Sequence, residues 1–140
     1  MATQESKDEE TTAKGVEVEA RLTRPGGLTY LEIPAVDVQR SADFYAKVCG
    51  WRVEQRDSAE PRFADPAGML IGRWVTSRAI SREPGLLPYI YVENVAQAVE
   101  RAVAQGGTII KACYTEGNLL VATVADPAGN VIGLWQESSS

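Results

Sequence analysis

A nine-residue stretch occurs twice in this chain, and it limits what the rest can fold into. Residues 64–72 read ADPAGMLIG and residues 125–133 read ADPAGNVIG, identical at seven of nine positions. Asp-Pro-Ala-Gly is turn chemistry: Pro presets one φ, Gly accepts a positive φ, and Asp caps its own backbone. The apolar run after each turn has strand character, and each copy leads to a tryptophan two residues past its last glycine, Trp74 and Trp135. A turn that leads twice into a similar strand, 61 residues apart, predicts one small unit used twice in a single domain.

The segments around the turns fit that repeat. Leu28–Ala35 reads as a strand with Tyr30, Glu32 and Pro34 on one face and Leu31 and Ile33 on the other. Asp37 is a suitable cap for a helix reaching Val48 or Cys49, with Val38, Ala42, Tyr45 and Cys49 as its buried stripe and Gly50 as its stop. Trp51–Arg56, Pro61–Ala64 and Met69–Val75 are three further strands, and Thr76–Gly85 connects the halves. Leu87–Val92 starts the pattern again, followed by a helix from the cap Asn94 to Gln105 and closed by Gly106-Gly107. Thr108–Tyr114, Leu119–Ala125 and Asn130–Gln136 complete the second set. The helix caps Asp37 and Asn94 are 57 residues apart, as are Gly50 and Gly107. The offset grows to 61 at the second turn, which places four extra residues in the Thr115–Asn118 hairpin. The expected fold is therefore α+β: two βαβββ units, 28–75 and 87–136, within one domain over 27–137. Residues 1–26 are polar and mixed in charge and read as a flexible tail, with alternation over Val16–Leu22 offering one short edge strand. Residues 138–140 form a short tail.

Composition removes several kinds of chemistry. The chain of 140 residues has no histidine, so a Ser-His-Asp or Cys-His arrangement is excluded, and the zinc, iron, nickel and copper sites that lean on imidazole lose their usual ligand. Cys49 and Cys113 form no metal spacing and no disulfide framework, and are expected to be buried as small apolar residues. A net charge of −5 without a basic stripe argues against nucleic acid. No apolar run is long enough to span a bilayer, and the N-terminus lacks a signal pattern, so a cytoplasmic location is expected.

Several of these residues together resemble the vicinal oxygen chelate superfamily, which holds glyoxalase I, bleomycin-resistance proteins and extradiol dioxygenases. The likeness is carried by Glu32-Ile33-Pro34, Asp37, Arg40, Phe44-Tyr45, Gly50-Trp51, both DPAG turns and Gly106-Gly107. It implies a curled mixed sheet around a concave pocket with helices outside, and a homodimer. In metal-dependent members each unit supplies two ligands, one from its first strand and one from its last. The matching positions here are Tyr30, Gly72, Leu87 and Gly133, where the family's His, Gln or Glu is missing. No metal and no other cofactor is expected.

Carried onto this chain, the resemblance directs Tyr30, Glu32, Leu70, Gly72, Trp74, Leu87, Tyr89, Tyr91, Val131, Gly133 and Trp135 at the pocket, and leaves Arg73 on the opposite face. Such a pocket is aromatic and apolar with one carboxylate, suited to a flat, partly apolar, even cationic organic ligand. The expected ligand-binding residues are Tyr30, Glu32, Gly72, Trp74, Leu87, Tyr89, Tyr91, Gly133 and Trp135. The leading expectation is a metal-free small-molecule-binding protein of the bleomycin-resistance kind. The alternatives are a metal-independent isomerase or lyase, with Glu32 raised in pKa by burial to serve as base, and a module whose concave face binds a partner protein.

Overall fold

A computed structural model describes residues 19–138. The first unit runs β1 (Tyr30–Pro34), α1 (Val38–Cys49), β2 (Arg52–Glu54), β3 (Arg62–Ala64) and β4 (Ile71–Val75). The second runs β5 (Tyr89–Tyr91), α2 (Val95–Ala104), β6 (Thr108–Glu116), β7 (Leu119–Ala125) and β8 (Val131–Glu137). Each unit folds into a four-stranded mixed sheet, ordered β1-β4-β3-β2 and β5-β8-β7-β6. In both, the first strand lies parallel to the last and the remaining neighbours are antiparallel. The expected α+β class and its two βαβββ repeats are present, as two sheets that stay unclosed.

Local chemistry sets the helix ends. The Asp37 carboxylate accepts from the Arg40 amide at 3.2 Å, and the Asn94 side chain accepts from the Gln97 amide at 2.9 Å. Gly50 ends α1 at φ 73°, a left-handed conformation in which a Cβ costs energy. The segment before β1 forms one turn of 3-10 helix over Ala20–Leu22, not the strand that alternation suggested; residues 16–18 of that expectation lie outside the described residues. Arg21 and Arg24 tie this segment to the first DPAG turn, donating to the carbonyls of Ala67 and Met69.

One core runs through both sheets and both helices. On the first-unit side it is a chain of rings: Tyr45 stacks on Trp51 at 4.9 Å, Trp51 on Phe63 at 4.6 Å, and Phe63 lies 4.9 Å from Trp74. On the other side are Ala122, Val124, Ile132 and Leu134. Helix α1 buries a wider arc than a single sheet requires, because α2 and the second unit cover it too: Ser41 and Phe44 are as buried as Ala42 and Tyr45. A Cβ on Gly107 would press on the Phe44 ring and the Ala125 carbonyl, so only glycine lets the second unit sit this close. Arg101 of α2 reaches the last turn of α1, donating to the carbonyls of Lys47 and Val48, where a helix presents unpaired acceptors.

The second DPAG turn is the polar link between the units. Asp126 is buried, and its Oδ1 accepts from the amides of Ala128, Gly129 and Asn130. Its Oδ2 accepts from the Tyr45 hydroxyl and from Asn130 Nδ2, both at 2.8 Å. Asn130 in turn donates to the Pro34 carbonyl at 2.7 Å and accepts from the Ser81 amide at 2.8 Å. Burial holds the Tyr45 phenol well above its ordinary pKa, so it stays a donor. Among the described residues the Asp65 carboxylate in the first turn accepts only from the amides of Met69 and Leu70, nearer solvent.

The two turns also differ in length, and that difference corrects the expected faces. The first hairpin closes by Asp65 N to Leu70 O, so that Ala64 pairs with Ile71. The second closes by Asp126 N to Asn130 O, so that Ala125 pairs with Val131. The first loop is one residue longer, and a one-residue slip moves every following side chain to the other face. Gly72 and Trp74 therefore point into the core beside Leu31 and Ile33, while Ile71, Arg73 and Val75 share the open face with Tyr30, Glu32 and Pro34. Trp74 is 2% exposed and packs on Phe63. Arg73, expected on the far side, stands beside Glu32. In the second unit the expected faces hold: Ile132 and Leu134 are buried, and Val131, Gly133 and Trp135 share the open face with Tyr89 and Tyr91.

Candidate functional site

Each sheet covers its core with one face and leaves the other open, and the two open faces differ in chemistry. On the first sheet, register lines up Glu32, Arg73, Arg62 and Glu54 in one row across four strands. Glu32 accepts from Arg78 Nε at 2.7 Å and from Arg73 Nη2 at 3.3 Å, while Glu60 lies 3.6 Å from Arg73 Nη1. The open face of the second sheet is aromatic. Tyr89, Gly133, Thr123 and Lys111 form one row; Tyr91, Trp135, Val121 and Tyr114 form the next. Tyr91 and Trp135 meet edge to face at 5.1 Å, a favoured geometry for two rings. Lys111 Nζ sits 3.9 Å from the centre of the Tyr114 ring.

Four of the expected ligand-binding residues therefore come together: Tyr89, Tyr91, Gly133 and Trp135. Tyr89 and Tyr91 are 49% and 56% exposed, and Trp135 is half-buried. Gly133 has a physical reason to lack a side chain, since a Cβ there would enter the Tyr89 ring. Leu87 precedes β5 and is exposed. Tyr30 and Glu32 lie on the other sheet, and Gly72 and Trp74 are core residues. Arg73, Arg78, Lys111, Thr123 and Tyr114 are neighbours that strand parity alone does not supply. The register of β6 shifts between Ile109 and Lys111 and again between Lys111 and Tyr114, so alternation cannot be read through it.

The four positions where relatives hold a metal do not fit one here. Gly72 faces the core, where a Cβ would run into the Leu31 carbonyl and the Phe63 ring. Gly133 lies under Tyr89, Leu87 has no donor, and Tyr30 is on the other sheet. Among the described residues no group of three or more His, Cys, Asp or Glu is placed to bind a metal. A recess of about 210 Å³ between the start of α1 and the second turn, lined by Asp37, Arg40, Ser41 and Pro127 among others, shares no residue with either open face. No helix among the described residues is long and apolar enough to cross a membrane. Of the two cysteines, Cys113 is exposed, contrary to expectation, because β6 is an edge strand. Cys49 is only partly exposed, and desolvation pushes its thiol up to about 12.

Glu32 is not suited to the base role. The hydrogen bond from Arg78 lowers its pKa, desolvation raises it less, and Arg73 lowers it further. A carboxylate held ionised by two guanidiniums is a poor proton acceptor near neutral pH. Because its folded pKa is depressed, its pairing is present above 4.5, the ordinary value, and is lost as pH falls through the lower folded pKa. A carboxyl-carbon NMR titration should give Glu32 a midpoint below 4.5, and Arg78→Ala should move that midpoint upward. A midpoint above 4.5 in the native chain would restore the base role.

Residues 30–135 match the family model described as a glyoxalase-like domain. Among solved structures, a glyoxalase/bleomycin resistance protein/dioxygenase family enzyme from Burkholderia phytofirmans PsJN aligns with TM-score 0.63 at 21% identity, covering 79% of this chain and 98% of that one. TnmS3, an antibiotic binding protein from Streptomyces sp. CB03234, aligns with TM-score 0.60 at 22% identity over 81% and 97%. TioX from Micromonospora sp. ML1 gives TM-score 0.56 at 18% identity over 80% and 99%. No curated sequence matches the chain significantly. At these identities the structural likenesses speak for the fold, and the family match carries the membership. The chain belongs to the glyoxalase-like domain family.

Proposed function

We propose that this protein is a cytoplasmic, metal-free binder of a small aromatic or amphipathic molecule, held on the open face of the second sheet. One observation carries this reading: Tyr89, Tyr91 and Trp135 present their rings together on a sheet face that the rest of the chain leaves uncovered. Exposed rings gathered on one face mark a place where something docks. A flat ligand can stack on these rings, and Gly133 lets the Tyr89 ring lie close against the sheet. The antibiotic-binding neighbour TnmS3 has the same fold, which makes small-molecule capture a natural use of it.

A second copy of the chain completes the pocket in this reading. Ligand pockets enclose most of their occupant, and one open sheet face does not. The charged face of the first sheet, from a partner, closes over the aromatic face of the second, and the same contact forms twice in a two-fold dimer.

The test is a thermal-shift and calorimetric screen of aromatic compounds, with and without added Zn²⁺, Ni²⁺ and Mn²⁺. At a hundredfold excess over Kd, a true ligand stabilises the fold by about 2.7 kcal/mol. Trp135→Ala should remove that gain while the circular dichroism of the unliganded chain stays native. Stabilisation by a metal alone, at concentrations that leave the ligand without effect, would sink the metal-free reading.

A further inference from the structure

The recess between the start of α1 and the second DPAG turn lies apart from both open faces. Its volume of about 210 Å³ is below the roughly 300–1,000 Å³ of a pocket for a drug-sized molecule, so it suits a smaller one. Asp37, Arg40 and Ser41 form its polar wall, and Val36, Pro127 and Ala128 its apolar wall. Ser41 is 1% exposed, yet its Oγ has no hydrogen-bond partner among the described residues. Buried polar atoms are almost always paired, so an orphan hydroxyl on the wall of a recess marks a place where a ligand completes the set. Side chains lean toward the N-terminal end of their helix, which turns the Ser41 hydroxyl back toward Asp37 and the recess. The Asp37 Oδ1 caps the helix at the Arg40 amide, and its other oxygen is unused. Among the described residues neither Asp37 nor Arg40 makes an ion pair, with each other or with any third residue. A Cβ on Gly106 would meet the Arg40 guanidinium, so glycine leaves that group its place beside the recess.

We infer that this recess is a second binding site, for a small apolar α-amino acid in its zwitterionic form. A lone anion would face the Asp37 carboxylate, and a lone cation would face the Arg40 guanidinium. A zwitterion satisfies both. Its carboxylate accepts from Arg40 and from the Ser41 hydroxyl, and its ammonium donates to the unused Asp37 oxygen. Its short side chain lies against Val36, Pro127 and Ala128. Hydrogen bonds with a charged partner are the stronger kind, and each end of the ligand makes one. Bound there, the amino acid spans α1 of the first unit and the turn of the second, and so stabilises the contact between them.

The test titrates the whole chain with L-valine, followed by amide chemical shifts and thermal stability. N-acetyl-L-valine, which lacks the ammonium, and L-valinamide, which lacks the carboxylate, are the comparison compounds. Valine should shift the amides of Asp37–Ser41 and Ala128. Each blocked form should bind at least about tenfold more weakly, the scale of a lost charged hydrogen bond. Asp37→Asn keeps a good helix cap and removes the charge, so its circular dichroism should stay native while valine affinity falls about tenfold. Ser41→Ala should weaken valine binding and leave the unliganded chain no less stable, because it removes a hydroxyl without a partner. Trp135→Ala should bind valine as the native chain does, so the result is independent of the aromatic face. No response to millimolar valine, equal binding of the blocked forms, or full affinity in Asp37→Asn overturns the site.

Discussion

Replacing Asp126 with alanine is expected to destabilise the fold by about 3–5 kcal/mol, measured by urea denaturation, because it strips several buried donors of their acceptor at once. The carboxylate receives three backbone amides, the Tyr45 hydroxyl and Asn130 Nδ2. Water does not reach the site to replace it, since Asp126 is 2% exposed. The loss is a large share of the roughly 5–15 kcal/mol that a domain has in total. Asp65 occupies the same place in the first copy of the turn, yet Asp65→Ala should cost only about 1 kcal/mol, the scale of losing an exposed cap. Tyr45→Phe removes one of the five bonds and should fall between, at about 1–2 kcal/mol. Equal costs for the two aspartates would show that the second turn does not join the units as described.

The second large effect separates two tryptophans that the repeat makes equivalent. Trp74→Ala should cost about 3–5 kcal/mol, through lost burial and the cavity left against Phe63 and Tyr45. Trp135→Ala should leave the fold close to native stability and abolish ligand binding. Fluorescence gives an independent check. Of the three tryptophans, Trp51 and Trp74 are 7% and 2% exposed, so acrylamide should quench chiefly Trp135. The quenchable emission should vanish in Trp135→Ala and persist in Trp74→Phe. A destabilised Trp135→Ala with a tolerated Trp74→Ala would mean that the faces are assigned the wrong way round.

Much of the fold is legible in the chain because its signals are local. The caps Asp37 and Asn94, the left-handed stop at Gly50 and the paired DPAG turns each act within a few residues, and each is where the pattern puts it. The aromatic set of the second unit is legible for the same reason, since Tyr89, Tyr91, Gly133 and Trp135 sit on regular strands where alternation holds. The rest of the site depends on registers between strands. Lys111 and Tyr114 come onto the open face through shifts in β6. Arg78 reaches Glu32 from a connection 46 residues away.

By itself the sequence determines that a βαβββ unit is used twice, and that no histidine is present in either copy. Which way the two copies face was decided by tertiary structure alone. Two turns of nearly identical sequence close at different residues, at Leu70 in one and at Asn130 in the other. Asn130 is held by Asp126 of its own turn, by Pro34 from the first unit and by Ser81 from the connection. Among the described residues Met69, at the same place in the first copy, donates its backbone amide to Asp65 and accepts at its carbonyl from Arg24, with no side-chain hydrogen bond. Those distant partners set the length of the loop, and strand alternation converts one residue of length into the opposite face. One tryptophan is thereby committed to the core and its twin to the surface where a ligand can reach it.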